Sequence, residues 1–126
     1  ISISDEANCF QKSMKMALQN TNLEDVDAIV MHAPGTIKGD TSEVKAIQKL
    51  FGENHPMLTT NKWKVGHTFG ASGMLNMEMA ILMMQHNHFI EVPFAEKQFS
   101  KKQIKKVLIN AVGFGGNAVS VLLSRK

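Results

Sequence analysis

The sequence predicts an α/β domain, a mixed β-sheet of about four to five strands with helices packed on it. Three observations carry this expectation. Strand, helix and strand patterns succeed one another over residues 26–61, as they do where parallel strands are joined by helical crossovers. Two apolar runs, Val107–Val112 and Ala118–Leu123, flank Gly113-Phe114-Gly115-Gly116-Asn117 and read as a hairpin. The composition, 44% hydrophobic and 20% charged, is that of a folded chain and excludes a disordered one. At 126 residues the expectation is a single domain over residues 1–126.

The elements follow in order. Residues 4–20 predict an amphipathic helix, with Ser4 as its cap and Asp5 and Glu6 in its first turn. Ala7, Phe10, Met14, Ala17 and Leu18 form the buried face. Val26–Met31 is a buried strand, and His32-Ala33-Pro34-Gly35-Thr36 the loop after it. A second helix over 41–51 turns Val44, Ile47, Leu50 and Phe51 inward and stops at Gly52. Leu58–Asn61 is a short strand. Gly66 to Gly73 is a small-residue turn into a helix over about 73–86. Between Met74 and Met84 only Asn76 and Glu78 are polar, a pattern expected of a helix buried on all sides. On a two-layer domain by itself, such a helix would leave about half of its large apolar side chains in water. Phe89–Pro93 is a further strand candidate, and 95–106 a polar loop.

Charge and targeting features narrow the function. Fourteen basic against 11 acidic residues give a net charge of +3, too little to argue for nucleic acid. No apolar run reaches the length of a membrane span, and no secretory leader is expected. The single cysteine, Cys9, cannot form an internal disulfide, which suits a reducing, cytoplasmic setting. Cys9 reads as a packing residue of the first helix.

Five histidines are present. His55, His86 and His88 lie in polar contexts and read as solvated. His32 and His67 stand at loops of small residues, where α/β proteins place ligands. Lys62 precedes His67 by five positions. Asp40 and Glu43 have the spacing of a helix-capping pair. His32, His67 and Asp40 lack a tight ligand spacing, and Lys62 would repel a cation, so no metal is expected. The glycine-rich turn at 113–116 lacks the Lys-Ser/Thr ending of a phosphate loop and precedes a strand rather than a helix. Lys101, Lys102, Lys105 and Lys106 read as a solvated surface.

Taken in order, three motifs form a pattern. They are His32-Ala33-Pro34-Gly35-Thr36 with Asp40 and Glu43, Asn61-Lys62 with Gly66-His67-Thr68-Phe69-Gly70-Ala71-Ser72-Gly73, and Asn110-Ala111-Val112-Gly113-Phe114-Gly115-Gly116-Asn117. Over nearly the whole chain this resembles the C-terminal half of the β-ketoacyl-ACP synthases, the elongating condensing enzymes of fatty acid and polyketide synthesis. The resemblance implies a thiolase-like half. It implies that His32 and His67 assist decarboxylation of malonyl-ACP and stabilise the enolate oxygen, with Lys62 as the active-site lysine. Asp40, Glu43 and Thr36 would support them, and Val112, Gly113 and Phe114 would form the turn whose backbone supplies an oxyanion-hole amide, that of Val112. Substrates would arrive as phosphopantetheine thioesters on acidic acyl carrier protein, without a further cofactor. The nucleophilic cysteine would belong to an N-terminal half outside these 126 residues, so this chain alone is expected not to condense. The implied partners are acyl carrier protein and that N-terminal half or a second copy of the chain, in a homo-oligomer.

The chain departs from the family pattern at Ala33 and Pro34, at Val112 where phenylalanine is usual, and at Asn76 where a glutamate is common. These departures keep an alternative open: a non-catalytic remnant of the fold acting as a binding or dimerisation module.

Overall fold

The computed structural model describes residues 3–32, 37–53, 55–60, 69–86, 103–112 and 118–125. The chain runs α1 (Ile3–Ala17), β1 (Ala28–Val30), α2 (Ile37–Phe51), β2 (Met57–Thr59), α3 (Phe69–His86), β3 (Lys106–Val112) and β4 (Ala118–Ser124). A short 3-10 turn, Leu23–Asp25, precedes β1. The four strands form one sheet in the order β2-β1-β3-β4. β1 pairs in parallel with both β2 and β3, and β3 pairs antiparallel with β4. This is the expected mixed sheet. The strand candidate at Phe89–Pro93 and the 113–117 turn lie outside the described residues.

The sheet is covered on both sides. α1 and α2 pack together on one face, where Ala7, Phe10, Met14, Leu18, Ala46 and Ile47 meet Ile29, Met31 and Leu108. α3 covers the other face, where Met79, Ala80, Met83 and Met84 meet Ala28, Val30, Val107 and Ile109. Because β1 is sandwiched, all three of its residues are buried. A strand buried on both faces reads as a continuous apolar run, which is why Val26–Met31 carried its signal without alternation.

The helices differ from expectation at their starts. α2 begins at Ile37, four residues ahead of the predicted start, so Asp40 lies within its first turn and not at a cap. α3 begins at Phe69 rather than 73. Cys9 is exposed, which corrects its reading as a packing residue. It lies two positions beyond buried Ala7, and two positions carry a side chain to the far side of a helix. α3 buries Met79, Ala80, Met83 and Met84 but leaves Met77, Ile81 and Leu82 exposed, at 36%, 42% and 44%. Within this chain the helix is therefore not buried on all sides, and the expected apolar surplus meets water. Among the described residues no helix is long and apolar enough to cross a membrane.

Three sets of contacts close the sheet and helix ends. The Asp27 carboxylate accepts from the backbone amides of Lys105 and Lys106, at 2.7 and 3.0 Å. Arg125 donates to the Met84 carbonyl in the last turn of α3, at 2.8 Å, where a cation also suits the helix dipole. Gly52 ends α2 with φ of 75°, and its amide donates to the Gln48 carbonyl at 2.8 Å.

A side chain added at Gly52 would meet no heavy atom within 4 Å. The expected effect of Gly52→Ala is therefore purely conformational, a loss of about 1 kcal/mol from holding an L-residue in the left-handed region. Urea denaturation should show a lower midpoint at an unchanged slope.

Candidate functional site

β1, β2 and β3 run parallel, so their carboxyl ends share one edge of the sheet. In open α/β sheets that edge is where ligands bind. The described residues at this edge include His32, Thr60 and Val112, which follow or end the three strands. Met31 extends the pairing past β1 by donating to the Thr59 carbonyl at 2.7 Å. His32 comes next and is only 5% exposed.

A buried backbone amide must find an acceptor. That of His32 donates to Glu43 Oε2 at 2.8 Å. Glu43 reaches it because α2 carries the chain back over the sheet and presents residues 43, 46, 47 and 50 along one stripe. The other three are Ala46, Ile47 and Leu50, all part of the core on this face. Glu43 thus occupies a core position and is fully buried. Burying a carboxylate is costly unless hydrogen bonds replace its water. The same Oε2 accepts a second bond, from Asn110 Nδ2 at 3.1 Å. Asn110 stands on β3 and is also fully buried. Its Nδ2 lies 3.5 Å from Met14 Sδ. Its Oδ1 accepts from Ser120 Oγ at 2.7 Å, and Ser120 Oγ lies 2.9 Å from Ser13 Oγ.

Of the expected site residues, the structure brings His32 and Glu43 together. The Glu43 contact corrects the capping reading of the Asp40–Glu43 pair: Glu43 faces the core and holds the end of β1. Asp40 lies in the first turn of α2, and Val112 closes β3 opposite Ala118. Thr36, Lys62, His67, Gly113 and Phe114 lie outside the described residues. His55 and His86 are exposed, as expected, and a ring nitrogen of His55 donates to the Pro56 carbonyl at 2.8 Å. His88 lies outside the described residues. Asn110, Ser120 and Ser13 were not anticipated as site residues. A polar residue inside the apolar run Val107-Leu108-Ile109 was the available signal.

A cleft of about 430 Å³ opens at the opposite end of the sheet, among Glu24, Asp25, Asp27, Gln103, Lys105 and Lys106. Its central carboxylate, Asp27, is already committed to two backbone amides. The cleft holds exposed charges of both signs, whereas the His32 edge holds buried polar groups in a fixed arrangement.

With this geometry in hand, comparison with known proteins defines the class. The family model "Beta-ketoacyl synthase, C-terminal domain" matches residues 2–93. The chain belongs to that family. It is 31% identical over 128 residues to 3-oxoacyl-[acyl-carrier-protein] synthase 1 of Buchnera aphidicola subsp. Schizaphis graminum, covering 90% of this chain and 31% of that protein. It is 28% identical over 157 residues to the probable polyketide synthase 26 of Dictyostelium discoideum, covering 96% of this chain and 6% of that protein. Among solved structures, a β-ketoacyl synthase from Burkholderia phymatum STM815 superposes with a TM-score of 0.81 at 27% identity, covering 95% of this chain and 33% of that one. The fold is therefore thiolase-like. The chain spans about a third of the length of the first curated relatives it matches.

Truncating Glu43 tests the buried contact. Glu43→Ala strands the His32 amide and the Asn110 amide group without their shared acceptor. The expected loss is about 2 kcal/mol or more, because each orphaned buried donor costs about 1–3 kcal/mol. An alanine at exposed Glu24 should stay within about 0.5 kcal/mol of the parent in the same denaturation experiment.

Proposed function

We propose that this chain is the C-terminal catalytic part of a 3-oxoacyl-[acyl-carrier-protein] synthase. It would supply a two-histidine site for decarboxylative condensation of malonyl-ACP with an acyl thioester. The observation that carries the reading is the buried His32 at the carboxyl end of a central parallel strand, its peptide held by Glu43. The parallel order of β1, β2 and β3 supports it further. In sequence Lys62 follows Thr60 by two residues and Gly113 follows Val112, and Thr60 and Val112 stand at the sheet edge that His32 shares.

The chemistry follows from the residue types. The malonyl group loses CO₂, and the electron pair of the broken C–C bond passes to the thioester as an enolate. Neutral imidazoles of His32 and His67 donate hydrogen bonds to the enolate oxygen as its charge develops. Such donors are worth most in a site that excludes water. The α-carbon then attacks the acyl carbonyl, a C–C bond forms, and the thiolate of a nucleophilic cysteine leaves. The Val112 amide would stabilise the oxyanion of that second step, with Gly113 and Phe114 shaping the turn. Lys62, Asp40 and Thr36 would complete the polar surroundings. Acyl carrier protein would deliver both substrates. The nucleophile would come from an N-terminal synthase half, because Cys9 sits exposed within α1 and not in a strand-to-helix turn of small residues.

Assembled with an N-terminal half that carries the nucleophile, His32→Ala or His67→Ala should lower malonyl-ACP decarboxylation by about 100-fold or more. Acyl transfer to the cysteine should persist. Full decarboxylation in both variants overturns the reading. The 126-residue chain alone should give neither condensation product nor a stable acyl adduct on Cys9 by mass spectrometry.

The exposed Met77, Ile81 and Leu82 on α3, with Val119 and Val121 exposed on β4, support a covered interface in the working protein. A patch of this kind is uncommon on soluble monomers. Its occupant would be the N-terminal half or, without it, a second copy of the chain. Light scattering of the purified chain should show association, or else a hydrophobic dye should bind it. A dye-silent monomer at high concentration would count against the interface.

A further inference from the structure

The Asn110 side chain sits between a carboxylate, which can only accept, and a hydroxyl, which can donate or accept. Glu43 Oε2 is an acceptor, since it already takes the His32 amide hydrogen. Asn110 must therefore turn its NH₂ toward Glu43. Its carbonyl oxygen then faces Ser120, whose hydroxyl donates to it at 2.7 Å. Asn110 and Ser120 are register partners across the β3–β4 ladder, so their side chains lie side by side on one face. With its proton used on Asn110, Ser120 offers only its oxygen to Ser13, 2.9 Å away on α1. The Ser13 hydroxyl donates to the Phe10 carbonyl at 3.0 Å. The bonds thus have one direction from Ser120 on β4 through Asn110 on β3 to the carboxylate.

Packing alone does not call for an asparagine here. The flanking positions on this face of β3 and β4 include Leu108 and Leu122, both part of the apolar cluster. A buried polar group in such company is tolerated when its bonds are complete, and it then fixes a single arrangement. The arrangement fixed here is that of Glu43 against His32.

We propose that Asn110 is a positioning residue for His32. Its NH₂ pins the carboxylate oxygen that holds the His32 main chain, and Ser120 anchors the other end of the Asn110 amide by donating to its oxygen. The significance for catalysis rests on the reading of His32 given above. The positioning itself is measurable without any turnover.

The test is backbone amide exchange by NMR on the 126-residue chain. In Asn110→Leu and in Ser120→Ala, exchange at the His32 amide should rise roughly three- to tenfold, the loss expected from one weakened hydrogen bond. The Leu108 amide, at the centre of β3, should be unchanged. Glu43→Gln keeps an oxygen where Oε2 stands and should keep His32 protected, whereas Glu43→Ala should not. Should Asn110→Leu fail to fold, Ser120→Ala decides, since Ser120 is only partly buried. Unchanged His32 exchange in the folded variants overturns the proposal. So does a uniform rise at every amide, which would mean lost stability without local positioning. Failure of the decarboxylation experiment would instead strike the functional reading and leave this result intact.

Discussion

One carboxylate oxygen organises this domain. Glu43 Oε2 takes a hydrogen from the end of β1 and another from the middle of β3, while its own backbone belongs to the helix that crosses between β1 and β2. Three elements are thereby referred to one point. The contact also fixes register. Side chains alternate along a strand, so a one-residue slip of β3 would turn Asn110 to the α3 side and bring Ile109 or Ala111 to the carboxylate. The pairing of Asn110 with Ser120 carries the same constraint to β4. A buried acid is expensive to place, and that expense makes the wrong registers worse than they would be in a wholly apolar core.

The two faces of the sheet are built differently. The α1–α2 face mixes aromatic, aliphatic and polar groups, and its polar chain leads to the His32 edge. The α3 face has only methionine, alanine and β-branched or leucine side chains in its buried cluster. Methionine adapts its shape to whatever it meets. One face of the sheet is thus specified by directional polar bonds, and the other is filled by side chains that adapt.

The apolar periodicity made the architecture legible. Ala7, Phe10, Met14 and Leu18 announced α1, and Gly52 announced the end of α2. The mixed sheet followed from the order of strand and helix patterns. Helix starts were misplaced because small and polar residues at 37–40 and 69–72 carry weak periodic signals, and helix ends are poorly bounded by pattern alone. His32 and Glu43 were legible through the motif resemblance, but the role of Glu43 was not. An acid three residues after another acid looks like a cap, and only the stripe it shares with Ala46, Ile47 and Leu50 reveals that it points inward. The Asn110–Ser120–Ser13 chain was hidden because Ser13 and Ser120 are 107 residues apart, and no local rule joins them. Cys9 was misjudged because cysteine is usually buried, although its helical register already placed it outside.

The connection between Asp27 and the start of β3 bears on how the domain comes to be made. The Asp27 carboxylate meets Lys106 across 79 residues, and Arg125, just past β4, ties down the end of α3 across 41. β1 is central, yet one of its two neighbours, β3, is made only after α2, β2 and α3. During synthesis β1 and β2 must wait with an open edge, and α3 with no sheet of full width beneath it. Long-range closures of this kind slow folding, and the waiting surfaces are the ones that aggregate. Early capture of the nascent chain by another folded body, before β3 emerges, would shorten that exposure.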